Sequence, residues 1–368
     1  MTLTVVVAPD SFKGSFTSVT VARALAGGWR RSRPDDRLLL APLADGGEGT
    51  LVAIAAAAGW EWRETLVSDP IGRPIRARWL RSEDGSRAVV ELAEASGLSR
   101  LASHERDPIR ATTLGTGQVL KAVLDAGIRT ITLGIGGSAT TDGGAGILRA
   151  LGARIEGEEI DLSGLDPRLS EVGLRIACDV TNPLLGPHGA AATYGPQKGA
   201  FPPQVAELDA RLASYADGMA AATGRDERDT PGAGAAGGTA FALLSIRDRF
   251  RFLELEPGVD LVAEETHLDA KLAGADIVLT GEGRIDAQTA FGKTVLGVAR
   301  RAAAAGVRCF AIGGTVDPAG AAALRALGVE VIAVHEVPVS LPEAVAAGVG
   351  PIERCAERIA AAVAVRRE

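Results

Sequence analysis

LTVVVAP (Leu3–Pro9), running into DSFKGS (Asp10–Ser15), is the stretch from which the fold is read. A short run of β-branched residues closed by a proline reads as a buried strand, and the pattern around Val19–Leu25 reads as the helix after it. LLLAPLA (Leu38–Ala44) is likewise followed by a helical pattern over Gly49–Ala58. Toward the other end, Asp276–Thr280, Val307–Ile312 and Val329–Val334 read as buried strands with Ala-rich helical neighbours such as VARRAAAAG (Val298–Gly306). That order predicts a parallel sheet with helices on both faces. The middle is different. From Glu61 to Glu91, β-formers alternate with the turn signals Asp69-Pro70 and Asp84-Gly85, which predicts an antiparallel meander. Helical and Gly-rich segments then alternate to about Ile246. The expected fold class is α/β: a discontinuous parallel-sheet domain, residues 1–60 plus 257–368, with a mixed α+β domain, 61–256, inserted and an active-site cleft between them.

Composition narrows the function. With 46% hydrophobic and 23% charged residues the 368-residue chain buries a core rather than staying disordered. Its 39 basic residues against 46 acidic ones leave a net charge of −7, which argues against nucleic-acid partners. The first strand has no basic segment before it and no apolar run approaches the roughly 20 residues of a membrane span, so neither a signal peptide nor a membrane partner is expected. Three scattered cysteines (Cys178, Cys309, Cys355) suggest a reducing cytoplasm and no zinc site. Lysine is confined to Lys13, Lys121, Lys198, Lys271 and Lys293 among a majority of arginines, and three of the five adjoin a glycine. Lysine retained so sparingly points to places where a compact ammonium is needed.

Six short segments set small residues around charged ones. PDSFKGS (Pro9–Ser15) puts Asp10, Ser11 and Lys13 beyond the first strand, where parallel sheets bind ligands. In ADGGEGT (Ala44–Thr50), Asp45 and Glu48 either hold a substrate hydroxyl or metal, or cap the next helix and favour its dipole. GIGGSATTDGGAG (Gly134–Gly146) reads as an anion nest centred on Gly136, Gly137 and Ser138, with Asp142 beside it. Its rival is a dinucleotide fingerprint, since Gly134, Gly136 and Ala139 fit GxGxxA. The long loop Cys178–Ala200 carries Asp179 at a strand end and Lys198 near its close. PGAGAAGGTAFAL (Pro231–Leu243) matches GxGxxG at Gly232, Gly234 and Gly237 without a preceding strand and reads as a helix entry near a ligand. TGEGRIDAQTAFGKT (Thr280–Thr294) ends like a P-loop but has Ala287 where that motif wants glycine, leaving Glu282, Arg284, Asp286 and Lys293. Acids for Mg²⁺, lysines for oxyanions and glycine nests are the parts of phosphoryl transfer. From the residues alone, the reading is a Mg²⁺-dependent phosphotransferase or a nucleotide binder. The alternatives are an NAD(P)-dependent hydroxy-acid dehydrogenase and a non-catalytic sugar-acid binding protein.

APDSFKGS, PLADGGEGT, GGSATTDGGAG, CDVTNPLLGPHGA, YGPQKGA, GAGAAGG and TGEGRID…GK, in this order from residue 8 to about 293, resemble the bacterial glycerate kinase family of the glyoxylate and glucarate type. The resemblance implies a Rossmann-like domain with an inserted one, and transfer of the γ-phosphoryl of ATP to D-glycerate in organic-acid catabolism, giving 2-phospho-D-glycerate. It implies ATP and Mg²⁺ as cofactors and a monomer or homodimer. The family's motifs fall on the residues already chosen. Lys13, Asp179, Asp286 and Lys293 are the expected catalytic set, with Asp179 or Asp286 as the base. Asp10, Ser11, Asp45, Glu48 and Arg284 are expected to bind substrate. Gly136, Gly137, Ser138, Asp142 and Lys198 are expected at the phosphates, and Asp179, Asp286 and Glu282 at the Mg²⁺. Phe16 and Thr141 depart from the family's commoner Leu and Asn without altering charge.

Overall fold

The computed structural model describes residues 2–286, 289, 294–335, 337 and 339–365. The chain divides into two compact units: unit 1 is Met1–Asp45, Val52–Ala58 and Val259–Glu368, and unit 2 is Gly46–Leu51 and Gly59–Gly258. In chain order, unit 1 contributes β1 (Thr4–Val7) and β2 (Arg37–Leu40). Unit 2 follows with β3 (Trp60–Ser68), β4 (Pro74–Ser82), β5 (Arg87–Glu91), β6 (Thr130–Gly134), β7 (Arg154–Glu156), β8 (Glu159–Asp161), β9 (Gly173–Ala177) and β10 (Phe252–Glu256). Unit 1 resumes with β11 (Ile277–Ile285), β12 (Arg308–Val316) and β13 (Glu330–Ala333).

Unit 1 is a parallel α/β sheet of order β13-β12-β11-β1-β2. The TVVV of β1 is central and almost wholly buried, as its β-branched side chains favour. The helix Ser18–Ser32 begins where the Thr17 hydroxyl accepts from the Thr20 amide and ends with Arg30 and Arg31 complementing its dipole. It lies against the helix Gly350–Val365 so closely that Gly28 faces the backbone carbonyl of Glu353. Leu25, Trp29, Phe310, Ile312 and Ile359 fill the core with the strand residues. Asp36 ties the edge down, accepting from the Leu3 amide (2.9 Å), the Trp29 indole (2.9 Å) and Arg33. Strand order reverses between β1 and β11, since the chain adds β2 on one side and β11, β12 and β13 on the other. Such a switch point opens a crevice at the carboxyl edge of the sheet.

Unit 2 is a mixed sheet, β10-β9-β6-β5-β4-β3. The antiparallel meander expected over 61–91 is present as β3, β4 and β5. Its sharp turn is held by Asp69, which accepts from the amides of Ile71 (2.9 Å) and Arg73 (2.8 Å). From β5 onward the sheet is parallel through β6, β9 and β10. That half is hard to read in sequence, because long helical and loop segments part its strands. Leu92, Leu133, Ile147, Ile176 and Phe241 mark the core. No helix among the described residues is long and apolar enough to cross a membrane.

Candidate functional site

The switch point of unit 1 is a cavity of about 440 Å³, within the range of small-molecule sites. Seven of the expected residues line it: Asp10, Ser11, Lys13, Asp45, Glu282, Arg284 and Asp286. They come from the ends of β1, β2 and β11, which parallel pairing aligns on one edge. Asp10 is the deepest. Its carboxylate accepts from the Ser11 amide (2.6 Å) and the Thr294 hydroxyl (2.6 Å). Burial, with the Asp45 carboxylate adding to it, lifts the Asp10 pKa above the usual aspartate range despite the Thr294 and Ser11 hydrogen bonds and the Lys13 charge. Lys13 Nζ reaches Asp45 Oδ2 at 2.7 Å, with 69% of the Lys13 side chain and 23% of the Asp45 side chain exposed. So exposed a pair adds only about 0–1 kcal/mol to stability, so Lys13 can turn to an incoming anion at small cost. Arg284, 71% exposed, pairs with Asp286 through Nε (3.3 Å). Glu282 accepts from the Thr289 hydroxyl at 2.6 Å. Phe12, Phe16, Val334, Leu341 and Ile352 add apolar lining, and His335 also borders the cavity. Lys293 lies outside the described residues.

A second group of expected residues occupies the carboxyl edge of the unit 2 sheet, where two glycine loops interlock. The Gly136 amide donates to the Gly46 carbonyl (3.3 Å), and a side-chain carbon on Gly136 would stand 2.5 Å from the Gly47 Cα. Gly137 faces the Glu48 side chain. Only residues without a Cβ let the backbones approach this far. Ser138 is buried and bridges to Gly97. Asp179 follows β9 and accepts from the Gly258 amide at 2.8 Å.

Asp142 and Lys198 are placed differently from what a direct phosphate contact requires. The Asp142 carboxylate accepts from the amides of Thr113, Gly144 and Gly146 and the hydroxyls of Thr112 and Thr113, fixing the start of the helix Ala145–Ala150. Lys198 is 1% exposed, its ammonium donating to the Thr140 carbonyl at 2.5 Å. Burial brings its pKa down to about 7, against the pull of Asp142. In both cases the geometry supports the glycine loop from beneath.

Among the described residues no three His, Cys, Asp or Glu side chains group closely enough to hold a metal ion. The expected trio is divided, with Asp179 in unit 2 and Glu282 and Asp286 in unit 1, so neither unit contains it as a cluster. Mg²⁺ asks for less, being held by one or two carboxylates together with substrate phosphates. The hard oxygen donors of Glu282 and Asp286 in one cavity fit that requirement.

The family model described as "Glycerate kinase family" matches residues 5–364. The chain belongs to the glycerate kinase family. As a member it is a phosphotransferase acting on an alcohol group. It is 43% identical to the glycerate kinase of Halalkalibacterium halodurans, over 97% of each chain. It is also 43% identical to the glycerate 2-kinase of Escherichia coli, over 80% of this chain and 81% of the other. A crystal structure from Salmonella typhimurium assigned as glycerate kinase 2 superposes with a TM-score of 0.86 at 38% identity, covering both chains fully. Membership sets aside the dehydrogenase alternative, and the local structure agrees. After β6 the helix starts only at Ala145, beyond Asp142-Gly143-Gly144, whereas a dinucleotide fingerprint opens directly into its helix. In this family member sequence reasoning overlooks Thr294, within the segment that mimics a P-loop ending, and the cavity's apolar wall. It also overlooks Glu91, whose one visible signal is an acid closing the buried run AVVE.

Proposed function

We propose that this protein transfers the γ-phosphoryl group of ATP to D-glycerate, giving 2-phospho-D-glycerate, with the chemistry at the switch-point cavity of unit 1. The observation that carries the reading is the convergence of Asp10, Lys13, Asp45, Glu282, Arg284 and Asp286 on that one cavity. Phosphoryl transfer depends on positioning and charge compensation rather than on a protein nucleophile. Carboxylates accept hydroxyl hydrogens, so Asp45 and Asp10 suit a polyhydroxy acid, while the open fork of Arg284 suits its carboxylate. Lys13 leaves Asp45 to offset charge on the transferred group. A three-carbon acid fills only a fraction of about 440 Å³, and the wall of Phe12, Phe16, Leu341 and Ile352 offers the nucleotide's flat ring a dry face. Mg²⁺ accompanying ATP would be held by Glu282 and Asp286 of unit 1 and would supply charge neutralisation at the phosphates.

Three aspartates compete to receive the proton of the attacking hydroxyl: Asp286 and Asp179, expected from the sequence, and Asp10. Asp10 is favoured because it is buried in the cavity and burial lifts its pKa above the usual aspartate range, making it the stronger base. The glycine loops of unit 2, with Glu48 on Gly137, are proposed to cradle substrate groups through backbone amides. Phosphorus NMR of the product formed from ATP, Mg²⁺ and D-glycerate tests the function. A resonance coupled to the C2 proton is expected. A 3-phosphate changes the acceptor assignment, and ATP consumption independent of glycerate rejects the reading.

A further inference from the structure

Glu91 closes β5 and is 6% exposed, an interior carboxyl group that among the described residues has no arginine or lysine hydrogen-bonded to it. Its two oxygens divide one task. Oε1 accepts from the Gly49 amide (3.2 Å) and Oε2 from the Leu51 amide (3.2 Å), so one carboxylate grips the Gly46–Leu51 loop at alternate residues, where it turns into the helix Thr50–Ala55. The same loop is fixed from within by the Thr50 hydroxyl on the Gly47 carbonyl (2.8 Å) and from beside by the Gly136–Gly46 hydrogen bond. Glu48 lies between these anchors, against Gly137. We propose that Glu91 is a positioning residue for the transfer reaction, holding the Gly46–Leu51 loop, and through it Glu48, in the shape the substrate meets. This rests on the reading that the loop belongs to the substrate site.

The ionised carboxylate is the form that works, because both oxygens must accept. A protonated carboxyl turns one oxygen into a donor facing another donor. Burial drives the Glu91 pKa up to about 7, with Glu94 and Glu48 adding to the rise and the Leu51 and Gly49 amides opposing it. The charged groups that act on it are Glu48 from the loop, Glu94 from the helix Ala93–Ser96 and Arg78 from β4. The grip therefore loosens as pH falls through neutrality.

Glu91→Gln and Glu48→Gln are compared with the wild type in steady-state glycerate phosphorylation from about pH 6 to 9, with hydrogen exchange of the Gly49 and Leu51 amides. Glu91→Gln keeps one acceptor and turns an NH₂ toward the other amide. Its expected signature is exchange at Leu51 or Gly49 about tenfold faster or more, kcat/KM about tenfold lower above pH 7, and loss of the acid limb near neutrality. Wild-type exchange rates with the wild-type pH profile in Glu91→Gln overturn the proposal. If Glu48→Gln is impaired and Glu91→Gln is not, the inference fails while the reading of the loop stands. If neither is impaired, the loop is not part of the site and both fail. Should Glu91→Gln not fold, wild-type amide exchange against pH decides: protection at Gly49 and Leu51, after correction for intrinsic rates, must rise across neutrality, and a flat profile overturns the proposal.

Discussion

Lys198→Met makes unit 2 more stable at neutral pH, and the gain disappears in alkali. The buried ammonium has a pKa of about 7, against 10.5 for an exposed lysine. At about 1.36 kcal/mol per pKa unit, burying this group costs on the order of 4 kcal/mol at pH 7 and about 1 kcal/mol at pH 9.5. The sign follows from proton counting. Between pH 7 and 10.5 the unfolded chain binds the extra proton, so wild-type stability rises with pH through that window. Methionine matches the lysine stem out to Cε but leaves the Thr140 carbonyl without its donor, a loss of about 1–3 kcal/mol. The balance is a gain of about 1–3 kcal/mol at pH 7 and a net loss of up to about 2 kcal/mol at pH 9.5. Urea unfolding followed by tryptophan fluorescence in a Trp29→Phe background measures it, because the other three tryptophans, Trp60, Trp62 and Trp79, lie in unit 2. A change in stability with the same sign and size at both pH values would refute the reasoning. A stabilised Lys198→Met with impaired turnover would mark the lysine as kept for function at the expense of stability.

Asp10→Asn is expected to lower kcat at least a hundredfold, more than Asp286→Asn or Asp179→Asn; the largest loss in either of the others reassigns the base. Gly28→Ala drives a methyl group into the Glu353 carbonyl, so the melting of unit 1 should shift by the equivalent of about 1–3 kcal/mol while the unit 2 fluorescence transition stays in place. For Asp36, burial alone would raise the pKa, but the Arg33, Leu3 and Trp29 hydrogen bonds outweigh it and hold it below the usual range. Its stabilisation is therefore present above the unfolded carboxylate pKa and lost as pH falls. Asp36→Asn should destabilise unit 1 at pH 7 and little at pH 3, as chemical denaturation at the two pH values can check.

Legibility in the sequence followed locality. In β1 the apolar TVVV is followed three residues on by Asp10, in β11 the apolar IVL runs through Thr280 into Gly281-Glu282, and in β12 CFAI runs into Gly313-Gly314, so strand and site chemistry are written side by side. The cavity residues of unit 1 were readable for that reason. Burial was not. Lys198 between Gln197 and Gly199 has the spelling of an anion-binding lysine, and only the packing of Thr140 over it shows where its charge goes. Glu91 and Thr294 act through partners 42 and 284 residues away, Gly49 and Asp10, and no spacing rule reaches so far. Asp142 could be placed beside the nest, but its five donors come from both sides of a fold that the motif alone does not contain.

The central position of β1 also dictates an order of events during synthesis. Its four residues leave the ribosome well ahead of one flanking neighbour, β11, which is encoded some 270 residues later. At roughly 5–20 amino acids per second, that is a wait on the order of tens of seconds. During that interval a strongly apolar segment has only β2 beside it, while the whole of unit 2 is already available to fold. Until β11 emerges the apolar face of β1 stays open on one side, and the helix Gly350–Val365, later still, completes the cover over Gly28.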